Sequence, residues 1–270
     1  MRHRRLAFLL LGCFAAGLAH AQTETLGLNS SELFHRGMNA LSGVGVSRSD
    51  FAALDYLHRS AELGHAPAQT VLGFLYDTGT VTTKDPAQAL DWYKRAAQQD
   101  DALAEWLAGR LLYSGSVPPR DLNDASHWLE KSSAHDNPFG AYLLGMVFRE
   151  RNDYAKAAVQ FRKASTQGLP QAQQQLGLLL KQGRGVPENR FEAYVWLLLS
   201  SQAGNASAAA ELPNLEADLG SNQVEQAKNR ARDLMATTSR VVTAHGCSGW
   251  PGEFQSIPAP PPPDLQRFCH

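Results

Sequence analysis

Gly37, Gly73, Gly109 and Gly145 lie 36 residues apart, and Gly177 follows after 32. Two further columns run on the same ruler: Tyr56, Trp92, Trp128, Gln160 and Trp196, and Ala53, Ala89, Ala125, Ala157 and Ala193, each with one 32-residue step among 36-residue ones. Three independent columns sharing a period are not an effect of composition. Residues 30–205 are therefore five copies of one unit, and a chain of this kind buries its apolar surface between neighbouring copies rather than around one centre. Its 270 residues need not mean two domains.

Residues 68–101 show the unit most clearly. Ala68, Leu72, Gly73 and Tyr76 recur at helical spacing, as do Ala89, Trp92, Tyr93, Ala96 and Ala97. Between these two helices, Gly79 supplies a turn and Asp85-Pro86 a helix start, with Asp as N-cap and Pro at the first helical position. The plan recurs with Gly115, Asp121, Ala125 and Trp128, and again with Gly183, Gly185, Pro187, Asn189, Ala193 and Trp196. In the fourth copy a shorter stretch, Arg149 to Asp153, replaces the loop, where length is cheapest to change. A mid-helix Gly costs about 1 kcal/mol relative to Ala, so its recurrence calls for close packing. The pairs Ala96-Ala97, Ser132-Ser133 and Ser200-Ser201 would likewise let the next copy approach.

An Ala, then Leu-Gly, a Gly-rich loop, Asp or Asn, Ala, Trp and a closing small pair resembles the Sel-1-like repeat, a relative of the tetratricopeptide repeat. Leu176-Gly177, Gly183-Arg-Gly185-Val-Pro187 and Ala193-Tyr-Val-Trp196 are similar to that pattern. The resemblance implies an all-α fold, a superhelical α-solenoid of helix-turn-helix units. It departs at Tyr56, which replaces Trp in the first copy, and at Gln160 in the fourth, where Phe161 is expected to cover the gap. Past residue 205 the ruler stops. Asn222-Gln-Val-Glu225 reads as a capping box opening a helix through Met235, with Val224, Ala227, Ala231 and Leu234 on one side. Residues 206–240 are thus expected to cap the end of the solenoid, which such stacks need for solubility.

The two ends of the chain read differently. Arg2, Arg4 and Arg5, the apolar run Leu6–Leu18 and Ala19-His-Ala21 form a secretory signal over residues 1–21, its run too short to stay as a membrane anchor. Leu10-Leu-Gly-Cys13 loosely resembles a lipobox, which would instead lipidate Cys13. Ordinary cleavage before Gln22 leaves 22 Lys and Arg against 26 Asp and Glu, a formal charge of −4 that argues against nucleic acid as partner. It predicts a periplasmic or secreted protein with no integral membrane segment. In that oxidising setting the remaining pair, Cys247 and Cys269, reads as a disulfide closing a tail over residues 241–270 that contains the Pro-rich stretch 258–263. A closed loop of about 23 residues would contribute on the order of 3 kcal/mol.

If the first helices line a concave groove, as the resemblance implies, their wheel has two sides. Positions five and one before the column glycine and three after it carry core residues such as Ala68, Leu72 and Tyr76. Positions three before, one after and four after mix aromatics with cations, the residue types that dominate interface hot spots. Phe74, Trp106, Arg110, Tyr113, Tyr142, Arg149 and Lys181 are the expected groove contacts for a protein or peptide.

Neither His-Glu-x-x-His, Gly-x-Ser-x-Gly nor a phosphate loop occurs, and His35, His58, His65, His127 and His135 have no ligand spacing. No catalytic residue, metal or cofactor is expected. Asp85 and Asp121 are better N-caps than acids. The resemblance implies an adaptor or scaffold, or a periplasmic immunity protein that neutralises a secreted effector. Cysteine-rich relatives that bind or hydrolyse β-lactams carry a disulfide in each repeat, and this chain has none within its repeats.

Overall fold

The computed structural model describes residues 27–245; the signal segment, Cys13, Cys247, Cys269 and the Pro-rich stretch lie outside them. Among the described residues the chain is helical throughout, with no strand. Five hairpins follow one another: α1 (Ser30–Ser42) with α2 (Asp50–Glu62), α3 (Ala66–Thr78) with α4 (Pro86–Ala97), α5 (Ala102–Ser114) with α6 (Leu122–Ala134), α7 (Pro138–Glu150) with α8 (Tyr154–Thr166), and α9 (Pro170–Gln182) with α10 (Arg190–Gln202). The short α11 (Ala206–Ala209) and the long α12 (Leu212–His245) close the series. The second helix of each hairpin packs on the first helix of the next. This is the α-solenoid that the period implies.

Local chemistry sets the helix ends. Asp85 accepts from the Ala87 and Gln88 amides, Asp121 from Asn123 and Asp124, Asn137 from Phe139 and Gly140, so each satisfies two of the donors a helix start leaves bare. Those amides hold the Asp85 and Asp121 carboxyls below the usual carboxylate range. At the other end Gly79 and Gly183 take left-handed conformations, φ 71° and 65°, that close the first helix and release the chain into its loop. In the fourth hairpin the loop contracts to residues 151–153, with the helix pair intact on either side.

The glycine column is where the two helices of one hairpin meet. A Cβ on Gly73 would stand 2.6 Å from the Tyr93 ring, and one on Gly109 2.6 Å from Leu129, too close for any side chain. Tyr93, Leu129 and Leu57 are fully buried in consequence. Each such burial contributes roughly 1.5–3 kcal/mol. Phe161 belongs to this contact, since a Cβ on Gly145 would stand 2.6 Å from its ring, and so does not fill the tryptophan position as expected. Gln160 occupies that position itself, accepting a 2.8 Å bond from Ser133 Oγ. The small-residue column does more than make room: Ser60, Ser132 and Ser200 donate to the carbonyls of Ser30, Ala102 and Pro170 at the start of their own first helices.

α12 covers the last hairpin. Leu215, Val224, Ala227 and Ala231 are buried on the side that meets α10. Tyr194 donates to Glu216 at 2.7 Å, and Arg190 pairs with Asp218 at 2.8 Å. The chain is helical on both sides of a break at Gly220 (φ 74°, ψ 162°) and runs to His245, a longer element than the expected Asn222–Met235. Leu215 and Leu219 carry its apolar side upstream of the break. No described helix is long and apolar enough to cross a membrane.

Candidate functional site

A first helix inside the stack has little free surface. It meets its own second helix at the glycine column and the preceding hairpin's second helix on another side, and α5 also touches α7. Four of the seven expected groove residues are accordingly inside: Phe74 is 3% exposed, Trp106 4%, Arg110 5% and Tyr142 8%. Trp106 stacks on Phe139 with ring centroids 5.0 Å apart, and Tyr142 lies against Phe161. Arg110 forms an ion pair with Asp77 of the preceding repeat, both side chains almost fully buried. These four hold repeats together, and a wheel drawn for one isolated helix does not include the neighbours that cover it.

The other three, Tyr113, Arg149 and Lys181, are half-buried and share the position four residues after the column glycine. Each reaches forward to the next unit. Tyr113 donates to Glu150 at 2.6 Å, and Arg120 binds both oxygens of the same carboxylate at 3.1 and 2.9 Å while lying over the Tyr113 ring. Arg149 donates to Gln175 Oε1, and Lys181 pairs with Glu211 at 2.6 Å. Asp77 to Arg110 is the first rung of the same ladder. Burial and the Glu150 contact push the Tyr113 hydroxyl up to about 12, so it remains a donor over the physiological range.

The first rung is dry and the last is not. Asp77 and Arg110 have side chains 5% and 6% exposed, whereas Lys181 and Glu211 have 28% and 33%. The adjacent column behaves alike: Met38 and Phe74 are buried, Met146 and Leu178 are half-exposed. From repeat 3 onward this edge therefore presents aromatic, thioether, aliphatic and cationic groups to solvent on a braced frame. Sequence reading missed the rungs themselves; their signal is complementary residues 26 to 37 positions apart.

Three of the histidines are occupied structurally. His65 caps α3 through Nδ1, His58 bonds the Tyr76 hydroxyl at 3.0 Å, and His135 meets Glu105 at 2.8 Å. Asp100, Glu105 and His135 bring one potential ligand atom each within 4.8 Å of one another. Lys131 stands among them, its Nζ 3.6 Å from Asp100 and 4.0 Å from Glu105.

A family model described as Sel1 repeat matches residues 34–65, 66–101, 102–137 and 170–205. The fourth hairpin, unmatched, lacks part of the loop and the tryptophan, and folds as the others do. A crystal structure of a protective antigen of uropathogenic Escherichia coli strains, displaying an SLR fold, superposes with a TM-score of 0.71 at 27% identity, over 89% of this chain and 50% of that one. The chain thus spans about half the length of that relative. A Sel1 repeat protein from Oxalobacter formigenes superposes at 0.60 and 23% identity, over 79% of this chain and 93% of that one. An immunity protein from Pseudomonas aeruginosa reaches only 0.41 at 21% identity, over 87% and 89%, and carries no weight. No curated protein matches the sequence.

Proposed function

The chain belongs to the Sel1 repeat family, whose repeats are protein-interaction modules, and from this premise we propose that it is an exported, non-enzymatic adaptor that docks a protein or peptide on the open edge of repeats 3 to 5. The observation that carries this reading is the half-buried row Tyr113, Met146, Arg149, Leu178 and Lys181. Tyr and Arg are the residues most often found at interface hot spots, and here the ladder holds them in place before a partner arrives, which lowers the ordering cost of binding. Arg149 is bonded to the neutral Gln175, so its charge on this edge suits an acidic or carboxylate-bearing segment. Export rests on the basic, apolar and small-x-small pattern of residues 1–21.

The test is a stoichiometric complex isolated from the native cell envelope with residues 22–270 as bait. Arg149→Ala together with Lys181→Ala is expected to weaken capture at least tenfold while thermal stability stays close to the parent. Capture that survives the pair of substitutions would place the binding surface elsewhere. The identity of the captured protein separates an assembly role from neutralisation of a toxic effector.

A further inference from the structure

The position four residues before the column glycine carries Gln69 in repeat 2, Glu105 in repeat 3 and Gln173 in repeat 5. All three side chains are buried at the junction with the preceding hairpin. Gln69 Nε2 donates to Ala61 O at 2.9 Å, and Gln173 Nε2 to Ser165 O at 3.4 Å, in each case a carbonyl in the last turn of the preceding second helix. Gln69 Oε1 then accepts from Gln99 Nε2 at 2.8 Å. The amide acts once as donor and once as acceptor.

Glu105 sits in the same frame one repeat later. Its Oε2 meets His135 Nδ1 at 2.8 Å, and His135 follows Gln99 by 36 residues. Its Oε1 is buried without a hydrogen-bond partner. The carbonyl that corresponds to Ala61 O by the repeat is that of Ala97, an acceptor, and a carboxylate oxygen has no proton to offer it. We propose that Glu105 is held as the neutral carboxylic acid at neutral pH, its Oε1–H donating to the preceding helix as the glutamine amides do and its Oε2 accepting from His135 Nδ1–H as Gln69 accepts from Gln99. The junction between repeats 2 and 3 is then a buried proton-binding site inside an otherwise amide-built stack.

The groups facing it are few. Asp100 follows α4, and Lys131 and His135 come from α6 and its C-cap. The nearby cations of α4 are bound elsewhere, Lys94 to Asp124 and Arg95 to Glu62. On α7, Arg149 is bonded to Gln175 and Glu150 to Arg120, while the Tyr142 ring lies on Phe161. Burial drives the Glu105 carboxyl above its ordinary range; the hydrogen bond and charge of His135 and then Lys131 act against it. A carboxyl raised on folding contributes stability that is full below the unfolded-state value, about 4.3, and is lost as pH rises through the folded-state value.

The experiment compares thermal unfolding of the full chain, Glu105→Gln, and the double variant Glu105→Gln with His135→Gln, which rebuilds the Gln69–Gln99 pair, from mildly acidic to mildly alkaline pH. The parent is expected to lose melting temperature relative to both variants as pH rises and to converge with them in acid. The Glu105 carboxyl carbon, followed by NMR in the parent, is expected to titrate above the ordinary carboxylate range. A penalty for Glu105→Gln that is equal at every pH, or a carboxyl that titrates normally, would mean an ionised Glu105 paired with His135 and would overturn the proposal. So would stabilisation of the parent, but not of Glu105→Gln, by added zinc, since the cluster would then be a metal site.

Discussion

The outer face of α1 and the same face of α3 belong to copies of one unit and have opposite chemistry. Glu32, His35, Arg36 and Asn39 of α1 are exposed, while their counterparts Ala68, Val71, Leu72 and Leu75 are each 0% exposed. In α5 the same positions hold Ala104, Leu107, Ala108 and Leu111, again fully buried. The difference follows from what stands in front. α3 and α5 each lie against a preceding hairpin, and among the described residues α1 has none. The two ends of the solenoid are therefore finished by different means. Substitution on an existing helix makes the first end polar, and an added helix, α12, covers the last one.

Exchanging the two chemistries tests the comparison most severely. Leu72→Arg puts into repeat 2 the residue that Arg36 provides in repeat 1, and the guanidinium would be desolvated with no carboxylate to meet it. The expected loss exceeds about 4 kcal/mol, beyond the usual range for a single substitution. Urea unfolding followed by circular dichroism should show the N-terminal hairpins melting before the rest, since repeat stacks lose cooperativity at a weakened junction. A single transition with an unchanged midpoint would mean that the face of α3 is not a true interior.

The ladder gives a second contrast, between its dry and wet rungs. Arg110→Ala would remove the guanidinium from a buried ion pair, expected to cost about 3–5 kcal/mol. Lys181→Ala breaks a pair whose side chains are 28% and 33% exposed, and the expected loss is about 1 kcal/mol or less. Raising the salt concentration should narrow the second loss and leave the first nearly unchanged, because screening acts on solvent-facing charges. Equal losses for the two variants would show that burial does not grade the rungs.

These contrasts also mark how far the sequence could be read. The period, the caps at Asp85 and Asp121 and the close approach at the glycine column depend on residues within one hairpin, where helical spacing is a sufficient guide. Phe74, Trp106, Arg110 and Tyr142 are a different matter. Whether they face solvent is decided by the offset between successive hairpins, which no single-helix wheel contains. The partnership of Glu105 with His135 is hidden for the same reason, being a contact across 30 residues that replaces an amide pair with a titratable one. The half-open edge at Tyr113, Arg149 and Lys181 is legible by composition, but not its ladder, which needs the next repeat in position.

Arg36→Leu is the mildest of these changes and the most specific to the comparison. The side chain is exposed, so the stability of the monomer is expected to move by no more than about 0.5 kcal/mol. Its effect belongs to solubility instead. Leucine at this place is what Leu72 and Leu176 are inside the stack, where a neighbouring hairpin covers them. Other apolar side chains of the first repeat are uncovered as well: Val44 is 63% exposed, Val46 53% and Phe51 81%. A leucine on the exposed face of α1 adds uncovered apolar surface of the kind that drives association. With α12 over the other end, head-to-tail stacking has no matching face, so the copies should meet first end to first end as a closed two-fold pair rather than as a filament. Sedimentation velocity over a concentration series is expected to show the variant shifting toward a dimer while the parent does not. A variant that stays as monomeric as the parent would mean that the polar residues of α1 are not what keeps this end of the stack from pairing.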